Sequence, residues 1–358
     1  MSSLKPKIAN TGANVGLFIA FLLAAVAYSN LGIKYSGYLN QFIVLWAAVG
    51  TLIIVIVMPV MAPTHPSAKW VFTEFQNTTG YANSGLTFFL GMLQAGWSLI
   101  GYENGAQIAE GTKNADVTGP RGIVISIIGA IAQGIVLCVA TLFSIQDLEE
   151  LQERSLFPLA TLFVRATNES LAAFFMVLLI VTQFATLCNV LLAASQLTWS
   201  MARDGAITPY PEFWYKLSGK QQVPLRILFL LATICIIVIM PTFRSEVYWS
   251  AIMSTAVICI NVSYGLPFVC RLIWRRQDMP KGRFDLGQYS LPINIIAIAW
   301  IAFFCVILCI PTVSPVAPET MNWACLMIGA IVIFSLAFWF LGGRRTYKGP
   351  MQTLAEKH

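Results

Sequence analysis

One carboxylate lies within a long apolar stretch of this sequence, where a charged side chain is costly. Glu103 follows the apolar run that begins at residue 84, and the aromatic residues Trp97 and Tyr102 lie beside it. Ser98 and Asn104 add a hydroxyl and an amide to the same stretch. An ionisable group at the centre of a membrane is destabilising unless it has a partner or faces water. Such a residue is typical of a functional site.

The same stretch is rich in glycine, which weakens an α-helix. Glycines occupy positions 91, 96, 101 and 105, and each destabilises a helix by about 1 kcal/mol relative to alanine. One interpretation is a helix that breaks and opens around a polar site, as in many transporters. The other is close helix packing, which small residues permit. Packing alone does not explain Glu103 and its polar and aromatic neighbours.

Two functional roles are open to Glu103. It binds a substrate cation directly, or it carries a proton that couples movement of a solute to a gradient. Trp97 and Tyr102 stack on a substrate ammonium group in this interpretation. In the alternative, the two rings are lipid-facing or core aromatics.

A second polar set lies in the apolar run 170–200. Thr182, Thr186 and Asn189 are spaced i, i+4 and i+7, so they share one helix face. Hydrogen bonding between helices explains most of this face. Thr186 and Asn189 are nevertheless candidates for a binding pocket.

These residues belong to a chain with the composition of a membrane protein. Of 358 residues, 57% are hydrophobic and 11% are charged, whereas soluble domains contain about 25% charged residues. A membrane-spanning helix needs about 20 apolar residues, and nine predicted spans meet this need: 14–33, 41–62, 84–108, 122–144, 170–200, 225–242, 247–270, 292–311 and 322–342. The tails are 1–13 and 343–358. The predicted fold class is an all-α, polytopic transmembrane helix bundle.

The distribution of basic residues orients the predicted bundle. Sixteen of the 22 Lys and Arg residues fall on one side of the nine spans and six on the other. The positive-inside rule makes the richer side cytoplasmic, so the C-terminus is expected inside the cell. Two glycosylation sequons, at Asn77 and Asn168, then fall outside. The segment 146–164 is amphipathic and too charged to span, and it predicts an interfacial helix.

The N-terminus conflicts with this orientation. Nine spans place it outside, yet Lys5 and Lys7 precede the first run and favour the inside. The start also resembles a signal peptide, with an apolar stretch at 15–27 followed by residues suited to cleavage. A simpler explanation is that further helices precede this sequence in a longer protein.

Neither a cofactor nor a metal site is predicted. The eight cysteines lie in or beside apolar runs and form no Cys-x-x-Cys pair, and the two histidines are His65 and His358. Motifs for nucleophilic, zinc-dependent or phosphate-binding chemistry do not occur, so an enzyme is not predicted. The net charge of +6 reflects the cytoplasmic loops and does not indicate binding of nucleic acid.

Several motifs resemble those of the amino acid–polyamine–organocation superfamily. Its sixth helix and following loop are similar to Trp97-Ser98-Leu99-Ile100-Gly101-Tyr102-Glu103, Ala109-Glu110-Gly111-Thr112-Lys113-Asn114 and Gly119-Pro120-Arg121-Gly122-Ile123. Its loop after helix 8 is similar to Met201-Ala202-Arg203-Asp204-Gly205-Ala206. Fungal GABA and choline permeases are most similar at Tyr264-Gly265-Leu266-Pro267-Phe268 and Gly343-Arg344-Arg345-Thr346-Tyr347-Lys348-Gly349-Pro350.

The resemblance implies a twelve-helix fold with two inverted five-helix repeats, of which this chain holds helices 4 to 12 and lacks helices 1 to 3. It implies a secondary transporter of amino acids or related amines, such as GABA or choline, that lies in the plasma membrane and is driven by protons. The family's broken sixth helix contributes to the substrate site, and this role carries over to Trp97, Ser98, Gly101 and Glu103. Trp97 matches a substrate-stacking aromatic, and Glu103 matches a gating or proton-linked acid.

The full set of candidate binding residues combines both lines of reasoning: Trp97, Ser98, Gly101, Tyr102, Glu103, Asn104, Thr186 and Asn189, with Glu103 as the proton-coupling residue. The sequence departs from the family at Gly111, where an acid is usual, and at Thr208-Pro209-Tyr210-Pro211, where Leu-Pro is usual. The family's first helix holds the substrate carboxylate. Its expected absence leaves an alternative, a truncated and inactive fragment or a regulatory relative of such a permease.

Overall fold

The computed structural model describes residues 11–31, 33–107, 114–154, 157–207, 210–218, 223–243, 245–274, 283–318, 320–347 and 349. Within these ranges the secondary structure is helical, apart from one isolated bridge between Ser218 and Val223. The helices are α1 Thr11–Ser29, α2 Ile33–Met61, α3 Ala68–Thr73, α4 Ser84–Ser98, α5 Asn104–Gln107, α6 Ala115–Phe143, α7 Pro158–Ala166, α8 Glu169–Arg203, α9 Pro211–Trp214, α10 Leu225–Ile239, α11 Glu246–Ile273, α12 Ser290–Cys309, α13 Ala324–Phe338 and α14 Arg344–Thr346. The predicted all-α class is confirmed.

Eight helices of the described chain are long and apolar enough to cross a membrane. They correspond to eight of the nine predicted spans, with ends that differ by a few residues; the second, for example, begins at Ile33 and not at residue 41. The remaining predicted span, 84–108, is not one continuous helix, because α4 ends at Ser98 and α5 begins at Asn104. The chain is therefore a polytopic helix bundle with one interrupted element.

Capping side chains fix the starts of the three helices that matter most for the site. Asn83 accepts hydrogen bonds from the N–H groups of Gly85 and Leu86 at the start of α4. Asn168 caps α8 in the same way, and Ser245 caps α11. Each cap satisfies backbone donors that the first helical turn leaves free.

The long helix α8 organises one part of the bundle. It packs against α1, α2, α7 and α10. One buried cluster joins α2, α7 and α8 through Met58, Phe163 and Phe175, and the two phenylalanine rings are 5.3 Å apart. A second joins α1, α8 and α10 through side chains such as Leu22 and Cys188.

The other part of the bundle is formed by α4, α11, α12 and α13. Its buried cluster centres on Val257, Phe304 and Ala324. At one end, the residues before α4 are bonded to those after α12. The Ser314 N–H donates to the Thr79 carbonyl at 2.7 Å, and the Tyr81 hydroxyl donates to the Pro311 carbonyl at 3.0 Å. These bonds fix where α4 enters the bundle.

The prediction of one interfacial helix over 146–164 is wrong. The segment contains a π-helical turn, Glu150–Arg154, and the separate helix α7. Pro158 starts α7, since proline is tolerated in the first helical turn but not within a helix. Because α7 buries Phe163 against α2 and α8, it packs into the bundle and is not only a surface element.

Candidate functional site

The glycine-rich element is broken, in agreement with one of the two interpretations of its glycines. The helical hydrogen bonds of α4 end at Leu99, whose N–H donates to the Ala95 carbonyl. Gly101 follows with a φ of +98°, which L-residues with a side chain rarely adopt. The chain then turns into α5 at Asn104. The predicted break is confirmed.

The structure also shows which glycine serves which purpose. A Cβ atom on Gly96 would lie 2.5 Å from Phe304 Cζ, so this glycine permits close contact between α4 and α12. A Cβ atom on Gly101 would meet nothing within 4 Å. Gly101 is therefore needed for its backbone conformation, and Gly96 for packing. Both interpretations of the glycines hold, each at a different position.

Glu103 is bound to the broken backbone itself. Its carboxylate Oε2 accepts a hydrogen bond from the Gly101 N–H at 2.9 Å. This N–H is available because no helical turn continues through the break. Both residues are half-buried. The carboxylate thus accepts a hydrogen bond from a backbone N–H group that is also able to donate to another acceptor.

Two tyrosine rings lie beside this carboxylate. The rings of Tyr102 and Tyr264 have centroids 5.3 Å apart with an interplanar angle of 47°. The Tyr264 hydroxyl lies close to the Glu103 carboxyl. It makes no hydrogen bond of ordinary geometry to the part of the chain that the structure describes. A buried hydroxyl in this position is able to donate to Glu103 or to a bound molecule after a small adjustment.

Tyr264 is the site residue that the site prediction missed. It lies on α11, which packs against α4. The sequence contains it in the motif Tyr264-Gly265-Leu266-Pro267-Phe268. That motif indicates a family, but nothing in it reveals a contact with Tyr102 in the break. A polar ring within an apolar span was the available signal.

The electrostatics of the break favour a positively charged group. The last carbonyls of α4 have no following helical turn to donate to them, and a helix C-terminus carries partial negative charge. The Glu103 carboxylate and the faces of the two tyrosine rings add further negative potential. No group of three or more His, Cys, Asp or Glu able to hold a metal occurs among the described residues. The carboxylate, the carbonyl oxygens and the ring faces together suit an organic cation.

Three other predicted site residues lie beside the break but have no described contact with the Glu103 carboxylate. Trp97 and Ser98 lie in the last turn of α4 and are exposed, and the Ser98 hydroxyl donates to the Gln94 carbonyl at 2.8 Å. Asn104 is the first residue of α5 and half-buried. These three residues adjoin the break in sequence, and their roles in binding stay predictions.

Thr186 and Asn189 lie on α8, against which α5 packs. The Thr186 hydroxyl donates to the Thr182 carbonyl of its own helix at 2.9 Å. Within the described ranges, neither side chain is bonded to the break. Their place in a pocket also stays a prediction. The family-like motif Ala109-Glu110-Gly111-Thr112-Lys113 lies outside the described residues.

Comparison with known proteins agrees with this geometry. The amino acid permease family matches residues 1–331 of the sequence. The chain belongs to this family. Its long apolar helices and its family membership make it an integral membrane protein.

Individual relatives cover most of the chain. The amino-acid permease BAT1 homolog of Oryza sativa subsp. japonica is 29% identical over 351 residues, which is 95% of this chain and 67% of the relative. Amino-acid permease 2 of Neurospora crassa is 30% identical over 79% of this chain and 52% of its own length. A putative polyamine transporter of Candida albicans is 28% identical over 76% of this chain and 50% of its own length. This permease-family chain therefore spans between half and two thirds of the length of these relatives.

Proposed function

We propose that the chain is a secondary transporter of amino acids or related amines, such as GABA or choline, and that it is driven by protons. We place the substrate at the break between α4 and α5. The observation that carries this proposal is the half-buried Glu103 carboxylate on the Gly101 N–H, beside the rings of Tyr102 and Tyr264. The relatives' names, amino-acid permease and putative polyamine transporter, support substrates that bear an amine.

The substrate's ammonium group is the part that the break attracts. It lies near the Glu103 carboxylate and the C-terminal carbonyls of α4, where negative potential is concentrated. Tyr102, Tyr264 and the exposed ring of Trp97 supply aromatic faces for a cation–π contact, worth about 0.5–2 kcal/mol. Choline has no carboxylate, so its ammonium group relies on these contacts.

A zwitterion such as GABA has a second contact available. Its carboxylate competes with Glu103 for the Gly101 N–H, which donates at 2.9 Å to the glutamate in this structure. Hydrogen bonds between an N–H group and a carboxylate are stronger than those between neutral groups. Release of Glu103 from Gly101 therefore accompanies binding of the substrate carboxylate.

This competition provides a route for proton coupling through Glu103. Protonation removes the charge of the carboxylate and weakens the bond that it accepts from Gly101. The free N–H is then available to the substrate. Tyr102 and Tyr264 lie beside Glu103 and surround the carboxylate with aromatic rings. A proton on Glu103 thus favours contact of the substrate carboxylate with Gly101, and its loss favours contact of the substrate ammonium group with Glu103.

We place the transporter in the plasma membrane with its C-terminus in the cytoplasm. The support for this orientation is the charge bias, sixteen basic residues against six. The basic end of the described chain includes Arg271, at the end of α11, and Arg344 in α14.

Uptake by cells that lack their own carriers for these compounds tests the proposal. Labelled GABA, choline and a panel of amino acids are supplied to cells that express the full chain and to cells with an empty vector. We expect accumulation of at least one compound, and its loss when a protonophore collapses the proton gradient. A membrane-inserted protein that accumulates none of them contradicts the proposal. Accumulation that the protonophore leaves unchanged contradicts proton coupling alone.

A further inference from the structure

Helices α11 and α13 run in the same direction, side by side. They pack against each other, and residues near both N-termini line one cavity, among them Tyr248 of α11 and Leu326 of α13. Since the two helices begin at the same end of the bundle and pack against each other, their C-termini lie at the opposite end. Helical rise places Arg271 about 34 Å from the level of Tyr248, and Arg344 about 27 Å from the level of Leu326. Both distances are close to the thickness of a bilayer core, about 30 Å.

This end of the bundle carries arginines without a carboxylate partner in the described structure. Arg344 and Arg345 are exposed and Arg271 is half-buried. None of the three forms an ion pair with another described residue. Before the start of α12, the Asp285 carboxylate accepts a hydrogen bond from the Gly287 N–H.

Three other arginines of the described chain are engaged by carboxylates, whereas Arg226 donates to the Phe213 carbonyl. Arg165 pairs with Glu150, and Arg203 pairs with Asp204 at 3.2 Å. Arg283 binds Asp116 through two nitrogen atoms, Nε and a terminal nitrogen at 2.7 Å from Oδ1. Among the described residues, no carboxylate competes with an external anion for Arg271, Arg344 or Arg345.

Large apolar and aromatic side chains lie at the same end and are exposed. Trp274 is 70% exposed, Phe340 65% and Leu341 85%. The ring of Trp339 contacts that of Tyr347 edge-on, with centroids 6.5 Å apart. Aromatic residues prefer the boundary between lipid tails and headgroups. This placement puts the arginines at headgroup level.

We infer that Arg271, Arg344 and Arg345, together with Trp274, Trp339 and Phe340, form a binding surface for the headgroup of an anionic phospholipid. A guanidinium group donates two parallel hydrogen bonds to a phosphate. The exposed rings contact the acyl chains and glycerol region of the same lipid. A small soluble anion uses the arginines but gains nothing from the rings, which is why the surface favours a lipid. This inference is independent of the proposed transport function.

Retention of lipid by the purified full chain tests the inference. The protein is exchanged into an uncharged detergent, incubated with phosphatidylserine or phosphatidylcholine, and analysed by native mass spectrometry. We expect tighter binding of phosphatidylserine, and a loss of about 30-fold in that affinity for the variant R344Q/R345Q, since each basic residue contributes about fivefold. The variant R344K/R345K retains the positive charge but not the planar guanidinium group with its paired N–H donors. We expect its affinity for phosphatidylserine to fall less than that of R344Q/R345Q.

Lys69 provides a matched control at the other end of the bundle. Lys69 is exposed on α3. The Phe72–Phe143 ring contact places α3 beside the C-terminal end of α6. The opposite end of α6 begins near Asp116, which binds Arg283. We expect K69Q to retain phosphatidylserine like the unchanged chain. Equal loss in K69Q, unchanged affinity in R344Q/R345Q, or full displacement of the lipid by millimolar inorganic phosphate overturns the inference.

Discussion

The carboxylate of Glu103 accepts a hydrogen bond from the backbone N–H of Gly101, 2.9 Å away. Both residues belong to the break between α4 and α5, so a charged side chain closes the gap that the broken helix leaves. The bond links the two features that define the site, a free backbone donor and an ionisable group. Substrate and proton act on this same bond in the proposed mechanism.

Gly101→Ala is expected to impair transport and to leave the amount of folded protein nearly unchanged. A side chain at a φ of +98° is strained, by about 1–2 kcal/mol, although no neighbour lies within 4 Å of the added atom. Gly91→Ala is the matched control, because Gly91 is helical and also has open space around it. Uptake and detergent gel filtration measure the two effects, and equal uptake by both variants would show that the backbone at Gly101 is unimportant.

Gly96→Ala is expected to lower the stability of the fold, whereas Gly101→Ala affects the binding site. The added methyl group meets Phe304 Cζ at 2.5 Å, and overpacking of this kind costs about 1–3 kcal/mol. The midpoint of thermal unfolding in detergent should fall. The double variant Gly96→Ala with Phe304→Leu should recover much of the loss, because a smaller side chain removes the ring that clashes. Absence of any recovery would contradict the packing role of Gly96.

Tyr264→Phe and Tyr264→Ala separate the ring from the hydroxyl. The ring contacts Tyr102 at 5.3 Å, and aromatic pairs contribute about 0.5–1.5 kcal/mol beyond their burial. The Phe variant keeps this contact and removes a buried hydroxyl that lacks an ordinary hydrogen bond among the described residues. We expect near-normal uptake for Phe and a raised KM for Ala. Loss of uptake in both variants would assign the role to the hydroxyl.

The orientation of the chain is tested with an epitope tag after His358. If the basic side is cytoplasmic, an antibody should stain the tag only after the cells are permeabilised. Staining of intact cells would reverse the orientation. The sequon at Asn77, which is exposed, offers a second readout, since addition of a glycan there requires the outer side.

The fold was largely predictable because the bilayer imposes a simple pattern. Apolar runs of sufficient length predict spanning helices, and eight of them are long helices in the described structure. The break was also predictable, since glycines and a carboxylate in one run are incompatible with an ordinary lipid-facing helix. The segment 146–164 was harder, because its amphipathic pattern continues across Pro158, where a new helix begins.

The contact of Tyr264 with the site was not predictable from the local sequence pattern. Tyr102 and Tyr264 meet because α11 packs against α4, and no spacing rule connects residues on separate helices. The same limit applies to Gly96, whose purpose depends on Phe304 on α12. Periodicity placed Thr186 and Asn189 on one face of α8, but it gave no information about which element that face meets.

The most direct test of the proposed mechanism is the pH dependence of uptake in Glu103→Gln, compared with Glu169→Gln. Glu169 is an exposed acid in the first turn of α8 and serves as the control. Glutamine keeps the size of the side chain but is not able to carry the proton. We expect Glu169→Gln to show normal, pH-dependent uptake and Glu103→Gln to show none. Full, pH-dependent uptake by Glu103→Gln would contradict the role assigned to this carboxylate.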